Sequence, residues 1–122
     1  MQLNNNRIGS ARLSSLAEAC KRVGTTALKQ LWLGGNEIGD TGVNSLVSAI
    51  TASALPKLEV MLLYSNALGD TATQSLGRAG REGKLNNMRF LCLQDNKVPR
   101  KAKIELRMEM SAAVPELSVF AG

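Results

Sequence analysis

At 122 residues and a formal charge of +5, the chain has room for one ordinary core. An apolar share of 44% argues against disorder, and aromatics at only 3% leave Leu, Val, Ile, Met and Ala to build that core. The lack of histidine excludes Ser-His and Cys-His catalysis, and no apolar run approaches the roughly 18 residues of a membrane helix.

Residues 1–9 read as the second half of a strand and the turn after it. Leu3, Asn6, Ile8 and Gly9 recur thirty residues later as Leu33, Asn36, Ile38 and Gly39. The chain thus opens inside a repeat. A solenoid needs its terminal coil covered, and an open strand edge invites pairing. The expectation is a piece of a longer repeat array, or an uncapped end that self-associates or meets another chain.

Ser10 to about Val23 has the pattern of a helix. Ser10 is placed as its N-cap, Leu13, Leu16, Ala17 and Cys20 recur at helical spacing, and Gly24 ends it. Thr25–Ala27 is the return loop. Leu28–Leu33 contains a strand, Gly34–Gly39 the turn out of it, and Asp40 caps a helix through about Thr51. The next coil repeats this plan, with a strand in Leu58–Leu63, Asn66 at the turn, Asp70 as cap and a helix to about Arg81. Gly77 and Gly80 stand where Val47 and Ile50 stood. Glycine inside a helix costs about 1 kcal/mol relative to alanine, so this helix is either the weakest or closely packed upon. A third full strand lies in Met88–Leu93, followed by Asn96. Pro99 and Arg100 then replace Gly-Asp, and a helix runs from about Pro99 to Ala112 with Ala102, Leu106 and Met110 inward. The tail from Val114 to Phe120 echoes Leu55–Met61, which predicts a strand from Leu117 with Phe120 inward.

The coils are therefore a partial one at 1–27, full ones at 28–57, 58–87 and 88–116, and a partial one at 117–122 in a single domain. Leu-x-x-Leu-x-Leu puts leucines on one side of a short strand, and the next segment gives a helix an apolar stripe. Such a unit cannot bury its apolar face alone, so neighbours stack with their strands in a parallel sheet about 4.8 Å apart. The narrower strand side makes the stack curve. The row Asn6, Asn36, Asn66 and Asn96 is structural on this reading, each amide satisfying backbone groups of adjacent coils. Each Asn→Ala is expected to cost on the order of 1–3 kcal/mol.

LKQLWLGGNEIGDTGVNSL and LEVMLLYSNALGDTATQSL resemble leucine-rich repeats of the ribonuclease-inhibitor-like subtype, which also occurs in NOD-like receptors and the activator of the Ran GTPase. The resemblance implies an α/β fold, a curved leucine-rich-repeat solenoid (a horseshoe segment) with parallel strands on the concave face and helices on the convex face. It also implies protein binding on the concave side. Pro99-Arg100 departs from the pattern, and so do the incomplete ends.

Outward strand positions are the ones folding leaves free. Gln2, Trp32, Leu62 and Cys92 form one column, flanked by Gln30, Val60 and Phe90 and by Asn4, Tyr64 and Gln94. Three of the chain's four aromatics fall there, and grouped exposed hydrophobes mark a protein contact. Trp32, Leu62, Tyr64, Phe90, Cys92, Val60, Gln30 and Gln94 are therefore the candidate partner site of a non-catalytic scaffold, with Ser65 and Asp95 at its rim.

The alternative is a GTPase-activating regulator resembling the Ran activator. It would need polar rim residues that this apolar face does not match. Basic residues such as Arg78, Arg81, Lys101 and Arg107 fall on helices without a nucleic-acid motif, which places nucleic acid behind a protein partner. The cysteines lack metal-ligand spacing, and no phosphate loop is present, so no metal or cofactor is expected. Cys20 and Cys92 fall on opposite layers, too far apart for a disulfide. Two free thiols and no signal-peptide pattern suit a reducing, cytoplasmic setting.

Overall fold

The computed structural model describes residues 1–23 and 27–121. The expected helix stop at Gly24 and the loop positions Thr25 and Thr26 lie outside the described residues. Helices and strands alternate: α1 (Gly9–Val23), β1 (Gln30–Trp32), α2 (Asp40–Thr51), β2 (Val60–Leu62), α3 (Asp70–Arg81), β3 (Phe90–Cys92), α4 (Arg100–Ala113) and β4 (Ser118–Phe120). The strands form one parallel sheet in the order β1-β2-β3-β4, and Gln2 extends it with a parallel bridge to Trp32. Each helix packs on the next one along the chain.

The thirty-residue echo is the register of the sheet. Leu31 pairs with Met61 and Met61 with Leu91, all at most 1% exposed. Leu33, Leu63 and Leu93 follow them into the core, where they meet Leu13, Val43, Leu46, Ala72, Leu76 and Leu106 from the helices. Ile38, Leu68 and Val98 close the turn side of that core. This is an α/β repeat fold, each coil burying its apolar side against its neighbours.

The asparagine row is structural, and its bonds run in one direction. Asn66 Oδ1 accepts from the Asn36 and Ile38 amides at 2.9 and 3.0 Å, while its Nδ2 donates to Leu33 O, Leu63 O and Tyr64 O. Asn36 does the same for Asn6, Ile8 and Leu3, and Asn96 for Leu68 and Leu63. Asn36, Asn66 and Asn96 thus satisfy backbone groups of the coil before them, groups that would otherwise be orphaned inside the turn, whereas the exposed Asn6 side chain donates to Asn4 O beside it. The residue preceding each asparagine is left-handed: Asn5, Gly35, Ser65 and Asp95 have φ of 59°, 68°, 52° and 56°. Ser65 and Asp95 are therefore turn-forming positions first.

The capping expectation needs correction. Ser10 lies inside α1, and neither Asp40 nor Asp70 caps its own helix; the residues before them, Gly39 and Gly69, have no side-chain cap bond of that kind. Each polar group instead reaches one coil forward. Ser10 Oγ accepts from the Gly39 amide at 2.9 Å, and Asp40 Oδ1 accepts from Gly69 N at 2.7 Å and Ala72 N at 3.3 Å. Asp40 therefore supplies acceptor oxygen and negative charge to the N-terminus of α3. Asp70 makes no such bond to α4: the equivalent of Gly69 is Pro99, which carries no N–H and so removes the shorter of the two contacts. Asp70 Oδ2 instead accepts from the side-chain Nε2 of Gln74 in its own helix.

Gly77 and Gly80 are explained by close packing. A Cβ on Gly77 would fall 2.5 Å from Glu109 Oε2, and one on Gly80 would fall 2.9 Å from Met110 Sδ. The glycines let α4 lie against α3, with Glu109 paired to Arg81 and Met110 buried.

The tail differs from the sequence expectation in one respect. Leu58 N, Met88 N and Leu117 N donate to Leu55 O, Leu85 O and Val114 O, so the echo holds as far as Leu117. Met61 and Leu91 stand three residues beyond Leu58 and Met88, whereas Val119, the partner of Leu91, stands two beyond Leu117. One residue is missing before β4, and in a strand that moves every later side chain to the other face. Val119 points inward, and Phe120 joins the outer face beside Cys92 with 44% exposure.

Candidate functional site

The face of the sheet opposite the core is built from the second set of strand positions. Register places Gln30, Val60, Phe90 and Ser118 in one rank and Trp32, Leu62, Cys92 and Phe120 in the next. Parallel strands about 4.8 Å apart carry each rank across the sheet as a nearly continuous row. Trp32, Leu62, Val60, Tyr64 and Phe90 are half-buried, and Gln30 and Gln94 are exposed. The sequence-selected residues therefore do come together on one surface.

Local contacts hold the large side chains in place. Trp32 Nε1 donates to Gln30 Oε1 at 3.1 Å, so the indole has its polar partner within the face. Phe90 and Phe120 stack with ring centroids 4.8 Å apart and planes 25° from parallel. Tyr64 lies over Gly34, where any Cβ would run into the phenol ring. Gly34 is held in turn by the Asn4 side chain, whose Oδ1 accepts from its amide at 2.9 Å. An aromatic platform on fixed rungs loses little side-chain freedom when something binds it.

Cys92 is the exception. It occupies the outer rank but is only 7% exposed, flanked there by Leu62 on one strand and Phe120 on the other. Its neighbours cover it, so it adds little contact surface of its own. Phe120 and Ser118 replace it as exposed members of the site. Alternation could not find Phe120, because the missing residue before β4 inverts its face.

The entry end of the strands carries charge. Lys29, Glu59 and Arg89 immediately precede Gln30, Val60 and Phe90, and backbone bonds align them. Glu59 N donates to Lys29 O at 2.7 Å, Arg89 N to Glu59 O at 2.8 Å and Ser118 N to Arg89 O at 2.9 Å. With Lys57 and Asn87 they line a shallow recess of about 300 Å³. A second depression of about 220 Å³ lies between return loops and is lined by Ser53, Pro56, Gly83 and Asn87, away from the aromatic ranks. Among the described residues no group of three or more His, Cys, Asp or Glu could hold a metal ion, both cysteines are free and buried, and no helix is long and apolar enough to cross a membrane.

These features define a leucine-rich-repeat-like α/β fold with an apolar sheet face left open. No family model matches the chain, and neither does any curated protein. Among solved structures it is similar to one described as leiomodin-1 actin-binding site 2, with a TM-score of 0.82 and 17% identity over 98% of this chain and 67% of that one. At that identity the likeness concerns the fold.

Proposed function

We propose that the chain is a non-catalytic protein-interaction module, a ribonuclease-inhibitor-like horseshoe segment that binds a protein partner through the outer, concave face of its sheet. The observation that carries this reading is the stacked and braced aromatic surface of Trp32, Tyr64, Phe90 and Phe120, on the side of the sheet that contributes nothing to the core. Exposed aromatics grouped in this way are typical of binding hot spots. The similar leiomodin-1 structure is described as an actin-binding site, so actin is the first partner to try.

Cross-linking and affinity capture from cell extract tests the reading when wild type is compared with a Trp32→Ala/Phe120→Ala double variant. The variant is expected to melt within about 1–2 kcal/mol of the parent, because neither residue is fully buried. It should lose the captured partner. A partner retained by the double variant at undiminished yield would remove the outer face from the proposal. Co-sedimentation with filamentous actin gives the specific answer for that partner.

A further inference from the structure

We propose that the free edge of β4 accepts an extended acidic segment of a partner protein as a further parallel strand, with an apolar side chain against Met110 and a carboxylate on Arg107. This site lies at the end of the sheet and goes beyond the reading of the outer face.

Backbone continuity supplies the first reason. Lys29 O accepts from Glu59 N and Val60 N, Glu59 O from Arg89 N and Phe90 N, and Arg89 O from Ser118 N, so each strand offers this oxygen to the next. Phe90 pairs with Ser118, which puts Leu117 O in the same slot, and no backbone N–H among the described residues reaches it. Ser118 N and Phe120 O are taken by β3. Successive residues of a strand turn their backbone groups to alternate edges, which leaves the N–H and C=O of Val119 for the far side. A row of such groups is a template for another chain.

The hollow beside that edge supplies the second. Arg107, Met110 and Ser111 of α4 line a recess of about 200 Å³ with Leu117 and Val119. The equivalents of Leu117 in the two coils before it, Leu58 and Met88, are buried, and so are Leu31, Met61 and Leu91 in the row of Val119. Leu117 and Val119 themselves are only half-buried, so an added strand finds apolar surface there to cover.

Charge decides what fits. Gly77 faces the following helix, since a Cβ on it would meet Glu109 of α4. Its column is Ala17, Val47, Gly77 and Arg107, and the column one turn earlier is Leu13, Val43, Thr73 and Lys103. Every member is buried except the last of each. A further helix packed on α4 would have to bury two cations, so the occupant is a strand with no helix behind it. Lys103 and Arg107 take part in none of the ion pairs among the described residues, and carboxylates on the occupant complement them. The chain turns back between α4 and β4, so a parallel segment passes Met110 first and Arg107 about 4.5 Å later, against roughly 6.7 Å between strand residues i and i+2. The matching segment carries an apolar residue and, two positions on, Asp or Glu.

The test is selection of eight-residue linear peptides from a displayed library against the whole chain, followed by titration of labelled winners by fluorescence polarisation. Winners should carry the apolar-x-acidic pattern, and their binding should slow hydrogen exchange at the Val119 amide. Lys103→Glu with Arg107→Glu should weaken binding about tenfold or more without lowering the melting temperature, because neither side chain is buried. N-methylation along one edge of the peptide should abolish binding with the protein unaltered, while Trp32→Ala should change nothing. Winners that need Trp32 and ignore the charge reversal would overturn this inference and support the outer face. Winners without an acidic bias, or tolerant of N-methylation at every amide, would overturn it too. So would a library that yields no binder, or a chain that dimerises through β4 in light scattering and takes no peptide, which would make a second copy the occupant.

Discussion

The middle coils and the last coil are held together differently. Between the coils of β1 and β2, both polar ladders operate: Asn66 reaches back to Asn36, Ile38 and Leu33, and Asp40 reaches forward to Gly69 and Ala72. Between the coils of β2 and β3 the asparagine ladder continues through Asn96, but the acidic one ends at Pro99. Helix packing takes over there, with Gly77 and Gly80 admitting Glu109 and Met110 of α4. One kind of contact can therefore be dropped from a repeat where another becomes closer.

Removing the shared contact should have the largest effect. Asn66→Ala leaves the amides of Asn36 and Ile38 without an acceptor and should lower stability by about 3 kcal/mol in a urea melt. A melt matching the parent would mean that water replaces the side chain at no cost. The contact particular to the last coil comes next. Gly80→Val drives a side chain into Met110 and should cost about 2 kcal/mol, against a parent in which Met110 is 1% exposed. If α4 simply shifts away, the loss will be small and α4 amides will exchange faster with solvent.

The acidic ladder gives a direct contrast. Asp40→Ala should cost about 1 kcal/mol, because the Gly69 and Ala72 amides at the start of α3 lose their shared acceptor, while Asp70→Ala should cost under about 0.5 kcal/mol. Equal losses would contradict the role of Pro99. The finest test restores the missing donor: in a Pro99→Gly background, Asp70→Ala should become more costly by about 0.5–1 kcal/mol, read as the coupling in a double-mutant cycle.

Much of the architecture was legible because the repeat is written in residue types with narrow physical roles. Leu33, Leu63 and Leu93 fix the buried side of each strand, and Asn36, Asn66 and Asn96 fix the turns. Most of the candidate face followed from alternation, since Trp32, Leu62, Val60 and Phe90 are the complement of Leu31, Met61 and Leu91. Three features escaped. Asp40 has the composition and position of an ordinary helix cap, and only coordinates show that it serves the following helix. Cys92 lies in an outward slot but is covered by neighbours whose size the pattern does not specify. Phe120 turned outward because a single residue is absent before β4, a change that similarity of the flanking Val114 and Leu117 conceals.

The one-way direction of the asparagine bonds makes the stack vulnerable unequally from its two sides. Stripping away a following coil leaves inner amides, such as Leu68 N beneath Asn96, with nothing to bind. Stripping away a preceding coil exposes the asparagine side chain and the helix-start amides, such as Gly69 N and Ala72 N above Asp40, at the new surface, where solvent can hydrate them. Fraying should therefore advance from the β4 side towards β1, and hydrogen exchange should rank the turns Asn36, Asn66 and Asn96 in descending order of protection.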